Sequence, residues 1–159
     1  MPVLQTLRDE YAHLEEVVEK LRSLAERIGR RDPRELEQEL TTAHSFLLDQ
    51  LLPHMRAEEE VLYPAVAAAM GSPAATATMS RDHLEMNRLV QELGKLHERL
   101  DADPAALQRV LYGLYALLAV HFAKEQEIYL PMLEQVLSAE EADRLLDDLA
   151  RAAHAAPRA

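Results

Sequence analysis

His54 and Glu58 stand four residues apart, and so do His121 and Glu125. On a helix that spacing puts both side chains of a pair on one face, one turn apart. The flanks repeat as well. His54-x3-Glu58-x-Glu60-x3-Pro64 is matched by His121-x3-Glu125-x-Glu127-x3-Pro131. The single histidines recur as His13-Leu14-Glu15 and His83-Leu84-Glu85, at nearly the same offset along the chain. The pattern reads as a duplicated helix hairpin that gathers His13, His54, Glu58, His83, His121 and Glu125. Burying polar groups costs several kcal/mol unless they are paired or bind a metal. Four imidazoles and two carboxylates suit two borderline-hard cations, iron first and then manganese, zinc or cobalt. The plainer alternative is a set of hydrogen-bonded core histidines.

Composition narrows the classes. The 159 residues include no cysteine, which excludes disulfides, thiolate metal sites, iron–sulfur ligation and cysteine nucleophiles. The formal net charge of −11 repels phosphate backbones and argues against nucleic-acid partners. No uninterrupted apolar run reaches the ~20 residues of a membrane span, so no membrane partner is expected. The N-terminus MPVLQTLRDE has no signal-peptide pattern, so a cytoplasmic protein is expected.

Four elements must position the histidines. Apolar residues alternate at spacings of 3 and 4 in four segments, which predicts an all-α fold. Gly29, Asp32-Pro33, Gly71-Ser72-Pro73 and Asp103-Pro104 separate them. Ser138-Ala139-Glu140-Glu141 reads as a capping box opening a short fifth helix. Short connections predict an up-down-up-down antiparallel four-helix bundle over residues 1–153, followed by a frayed tail, 154–159. Pro53 and Pro64 predict kinks in the second helix.

Hairpin partners must lie about equally far from the turn. His83 and His121 are equally far from Ala102, while His13 is three residues nearer to Asp32 than His54 is. That three-residue mismatch is about 4.5 Å, which places all four histidines at one level. His44 and His97 share the inward stripe but lie about 15 and 21 Å along their helices from His54 and His83, as a separate core pair. Glu10 reads either as an acceptor behind a ligand imidazole or as a solvated edge. Tyr11, Tyr63 and Tyr129 read either as lining the pocket or, by default, as bundle packing, and Glu15, Glu16, Glu59 and Glu60 read as surface charge.

These residues resemble the hemerythrin-like, or HHE cation-binding, family across residues 3–137. The pattern His … His-x3-Glu … His … His-x3-Glu falls on His13, His54, Glu58, His83, His121 and Glu125, and LLPHMRAEEEVLYP is typical. The resemblance implies two iron ions in a non-heme di-iron centre with a bridging oxo or hydroxo group. Glu58 and Glu125 would bridge, and the histidines would be terminal. Family oxygen carriers have a further histidine where this chain has Asn87, and an aspartate where it has Gln126. The resemblance is therefore to the HHE branch. A ferritin-like reading would need two Glu-x-x-His motifs, and only Glu10-x-x-His13 fits.

The expected function is binding or sensing of dioxygen, nitric oxide or peroxide at an open iron position. The alternatives are an enzyme that decomposes peroxide or handles nitric oxide, and a metal-free structural bundle. The same sequence predicts that a metal-free chain gains stability from Glu58→Gln, because two buried carboxylates repel.

Overall fold

The computed structural model describes residues 3–155. Among them the chain forms five long helices and no strand. They are α1 (Gln5–Ile28), α2 (residues 37–70), α3 (Ala77–His97), α4 (Pro104–Val136) and α5 (Ala139–His154).

The sequence breaks fall where expected, with local detail added. Gly29 caps α1. The Asp32 side chain accepts from the Arg34 backbone N–H, but Pro33–Leu36 is a 3-10 turn that precedes α2. Gly71 ends α2 at φ +64°, a left-handed conformation that costs a glycine nothing. Asp103 caps α4 through the Ala106 N–H, at 2.9 Å. Ser138 and Glu141 form the expected reciprocal capping box, and α5 reaches His154, one residue past the expected end. The tail expected to fray lies, from residue 156 on, outside the described residues.

Where the prolines predict kinks, the helices show π-helical winding. Leu47–Leu51, Glu58–Leu62 and Glu125–Tyr129 are π-helical, and Pro53, Pro64 and Pro131 follow two residues later. A proline supplies no N–H, and its ring crowds the carbonyl four residues back. Widening that turn relieves both problems. The repeated motif therefore carries a repeated π turn, and a π turn brings residue i+5 over residue i.

Side chains from all five helices form one apolar core, with Tyr11, Phe122, Met79 and Met86 among its largest fully buried members. α4 packs on α1 and α3, and α5 covers residues 52–62 of α2. By length and composition α4 would suffice to cross a membrane. Reading only unbroken apolar runs missed this. Its Leu107, Leu111, Leu114 and Leu118 are nonetheless buried in the core.

Candidate metal centre

Glu58, His83, His121 and Glu125 are buried, and one donor atom from each lies within 4.8 Å of the others. His54 joins them, with Nε2 2.7 Å from Glu58 Oε1. Five of the six expected donors thus converge, from α2, α3 and α4.

His13 does not. It is exposed, and its ring stands 6.0 Å from that of Phe46, over a groove between α1 and α2. The level argument fixed height along the helix but not rotation about its axis. The buried stripe of α1 runs through Leu7, Tyr11, Leu14 and Val18. His13 is two residues from Tyr11, about 200° around the helix. The matching triplets are also not equivalent. In the first, the histidine is exposed and Leu14 is 4% exposed; in the second, His83 is buried and Leu84 is 66% exposed.

Tyr11 stands where α1 reaches the site. It is fully buried and donates from its hydroxyl to Glu58 Oε1 at 2.8 Å. The sequence held a signal for it. Tyr11 and His54 are almost equally far from Asp32, a closer match than His13 makes. Tyr63 enters through the π turn, as the residue five positions on that this winding brings over Glu58. Its hydroxyl donates to Glu125 Oε1 at 2.8 Å and lies 3.1 and 3.2 Å from the Nε2 atoms of His83 and His121. Its counterpart in the second motif is Leu130, so only one half delivers a phenol there. Tyr129 packs against Tyr63, and its hydroxyl donates to the Ala75 carbonyl.

Each converging imidazole has a carboxylate behind it. His54 Nδ1 lies 3.1 Å from Glu10, His83 Nδ1 2.7 Å from Glu59, and His121 Nδ1 3.0 Å from Asp82. This arrangement puts the proton on Nδ1 and turns the Nε2 lone pair inward. Glu10 thus takes the first of its two expected roles, and Glu59 is not mere surface charge. Asp82 was missed, because it follows no spacing relative to His121 on another helix. Lys124 also holds it, at 2.5 Å. Asp82→Asn is expected to weaken metal binding about 10–100-fold, measured by competition with a coloured chelator.

The inward lone pairs create a problem that a cation solves. His83 Nε2 and His121 Nε2 face each other at 3.0 Å. Two lone pairs repel at that distance unless a proton or metal ion lies between them. Glu125 Oε2 is buried without a hydrogen-bond partner, while His54 Nε2 and Glu58 Oε2 are buried with only another prospective donor atom beside them, Glu58 Oε1 at 2.7 Å and His83 Nε2 at 3.2 Å. Metal–donor bonds of about 2.0–2.2 Å put adjacent ligands about 3 Å apart. The donor atoms show those separations, so the residues fit a metal centre.

Without metal, the site divides charge unequally. Burial opposes ionisation of Glu58, but His54 and His83 outweigh it and hold this carboxyl below its ordinary range. Burial and the charge of Glu58 push Glu125 up. Burial lowers His54 and His121, yet the carboxylates around each imidazole raise both on balance. Burial, then the two glutamates, raise Tyr11 and Tyr63 and keep both phenols protonated.

The family comparison agrees with this geometry. A model of the hemerythrin HHE cation binding domain matches residues 3–133. The chain belongs to that family. No curated protein and no solved structure matches it. In this chain α1 brings Tyr11 to the site, and His13 faces outward.

His44 and His97 lie together, with ring centroids 6.0 Å apart, but both are half-buried rather than in the core, and no hydrogen bond joins them. Thr41 Oγ1 lies 2.9 Å from His97 Nε2, and the His44 ring packs against Gly94. Metal content is expected to be unchanged in His44→Gln, His97→Gln and His13→Ala. Elemental analysis of the loaded proteins checks this, and loss of an ion from His13→Ala would return His13 to the ligand set.

Proposed function

We propose that this chain holds a non-heme di-iron centre in an up-down-up-down antiparallel bundle spanning residues 1–153. The centre binds or senses dioxygen, nitric oxide or peroxide, and the cytoplasm is its proposed location. The carrying observation is the pair of imidazole Nε2 atoms, of His83 and His121, facing each other at 3.0 Å beside the buried carboxylates of Glu58 and Glu125, with Glu125 Oε2 left without a hydrogen-bond partner. All hard oxygen and imidazole donors and no thiol favour iron over softer-metal chemistry. Bound iron supplies redox chemistry and an open position for a diatomic or peroxide ligand.

The chain's own groups shape that chemistry. Glu58 turns its two oxygens toward different neighbours. Oε1 meets His54 and Tyr11, and Oε2 meets His83 at 3.2 Å. That arrangement suits a bridging carboxylate. Glu125 carries the second negative charge, with Oε1 on Tyr63 and Oε2 free. Glu10, Glu59 and Asp82 orient the imidazoles. Phe122 packs its ring against Tyr11, His54 and His121 and keeps water from that side. Tyr63 holds a proton on its hydroxyl, beside two imidazoles and a carboxylate. That proton favours peroxide breakdown as a second reading, and peroxide turnover by the iron-loaded protein separates it from passive binding.

Purified protein loaded anaerobically with ferrous iron and then oxidised is expected to hold two irons per chain. Its spectrum is expected to show oxo-to-iron absorption in the near ultraviolet. Retention of a single zinc, with no iron-loaded form, would overturn the reading.

A further inference from the structure

We propose that Tyr11 is a metal ligand of this centre: it replaces a first-helix histidine with a phenolate on the ion that His54 and Glu58 hold. The inference rests on the di-iron reading above and assigns the donor that α1 contributes to it.

The converging donors are unevenly shared. His83, His121, Glu58 and Glu125 form a compact four-donor cluster. His54 stands outside that cluster, and its nearest donor there is Glu58 Oε1. An ion on the His54 side would have one nitrogen and oxygens from shared carboxylates. Resident metal sites ordinarily use at least three protein donors. α1 closes this side of the site, and among its residues Tyr11 places a donor atom there. The Tyr11 hydroxyl and His54 Nε2 approach the same oxygen, Glu58 Oε1, at 2.8 and 2.7 Å. Adjacent ligands around one ion have separations near these, about 3 Å. The Tyr11 and His54 rings meet edge to face, with centroids 5.5 Å apart. Glu10, one residue before Tyr11, orients His54 from behind. One turn of α1 thus supplies both a donor to the ion and the group that aims its neighbouring ligand.

Ligation is balanced simply. The phenolic O–H bond breaks as the O–Fe bond forms. The proton leaves to bulk water, one per Tyr11 bound, with no change in oxidation state. Tyr63 is the internal control, since its hydroxyl donates to Glu125 on the other side of the cluster.

A phenolate on ferric iron produces a visible charge-transfer band that imidazole and carboxylate ligands do not. The ferric wild-type protein is expected to show this band, with phenolate ring modes enhanced in its resonance Raman spectrum. Tyr63→Phe is expected to keep both signatures, and Tyr11→Phe to lose both. Tyr11→His restores a donor on α1 without a phenolate. It is expected to hold two irons with no visible band, which separates loss of the ligand from loss of the iron. Iron-loaded wild-type protein without the band, or a band that persists in Tyr11→Phe or Tyr11→His, overturns the assignment while leaving the di-iron reading intact. A chain that takes up no iron overturns both.

Discussion

In the proposed di-iron centre, Glu58→Gln is expected to leave at most one tightly held iron per chain and to abolish the magnetic coupling of the pair. The two carboxylate oxygens of Glu58 face different donors, His54 with Tyr11 on one side and His83 on the other. Replacing one oxygen with an amide NH₂ turns a donor into a group that repels a cation. Two metal ions about 3.5–4 Å apart also lose one of the negative charges that offset their repulsion. At an effective dielectric of about 20, one unit-charge interaction at 4 Å is worth about 4 kcal/mol. The affinity for the second ion is therefore expected to fall by at least about 100-fold. Elemental analysis and low-temperature magnetic measurements read the result. Two coupled irons at wild-type affinity in both Glu58→Gln and Glu125→Gln would refute the bridging assignment.

In the metal-free protein the same two substitutions have opposite signs. Glu125 is pushed up by burial and by Glu58, so its folded-state carboxyl holds a proton longer than the unfolded chain does. Its ionisation costs stability increasingly as pH rises from about 4.5, and the cost stands in full above its raised value. Glu125→Gln removes that cost and is expected to raise the melting temperature at neutral pH. Glu58 behaves the other way. Its lowered value means that ionised Glu58 stabilises the fold above about pH 4.5, and this stability is lost as the pH falls. Glu58→Gln also weakens its pairing with His54, His83 and Tyr11, so the melting temperature is expected to drop. The expectation that Glu58→Gln would relieve repulsion thus belongs to Glu125. Changes of about 1–2 kcal/mol, or a few degrees, are expected for each. Thermal unfolding of chelator-treated protein between pH 4 and pH 8 checks the signs. Equal shifts for the two variants would show that the carboxylates share their charge evenly.

Much of this molecule can be read along the chain. Heptad-like spacing of Leu and Val establishes helices, since each helix must bury one stripe. Proline, glycine and capping residues locate the breaks, because they act through the local backbone. The His-x3-Glu pairs are legible for the same reason: four residues make one turn, so His54 with Glu58 and His121 with Glu125 share a face wherever the helix goes. A single histidine carries no such internal reference. His13 and His83 are followed by the same two residues in the sequence, yet one faces solvent and the other the site. Only the packing of α1 against α4 decides its rotation, and it turns Tyr11 inward. The π turns decide Tyr63, since in a regular helix residue i+5 points away from residue i. Asp82 shows the limit most plainly. It adjoins His83 in sequence but supports His121 on α4, a relation that exists only once α3 and α4 lie side by side. The chain's local chemistry thus determined which groups were available to bind metal. The rotation and winding of the packed helices decided which of them meet.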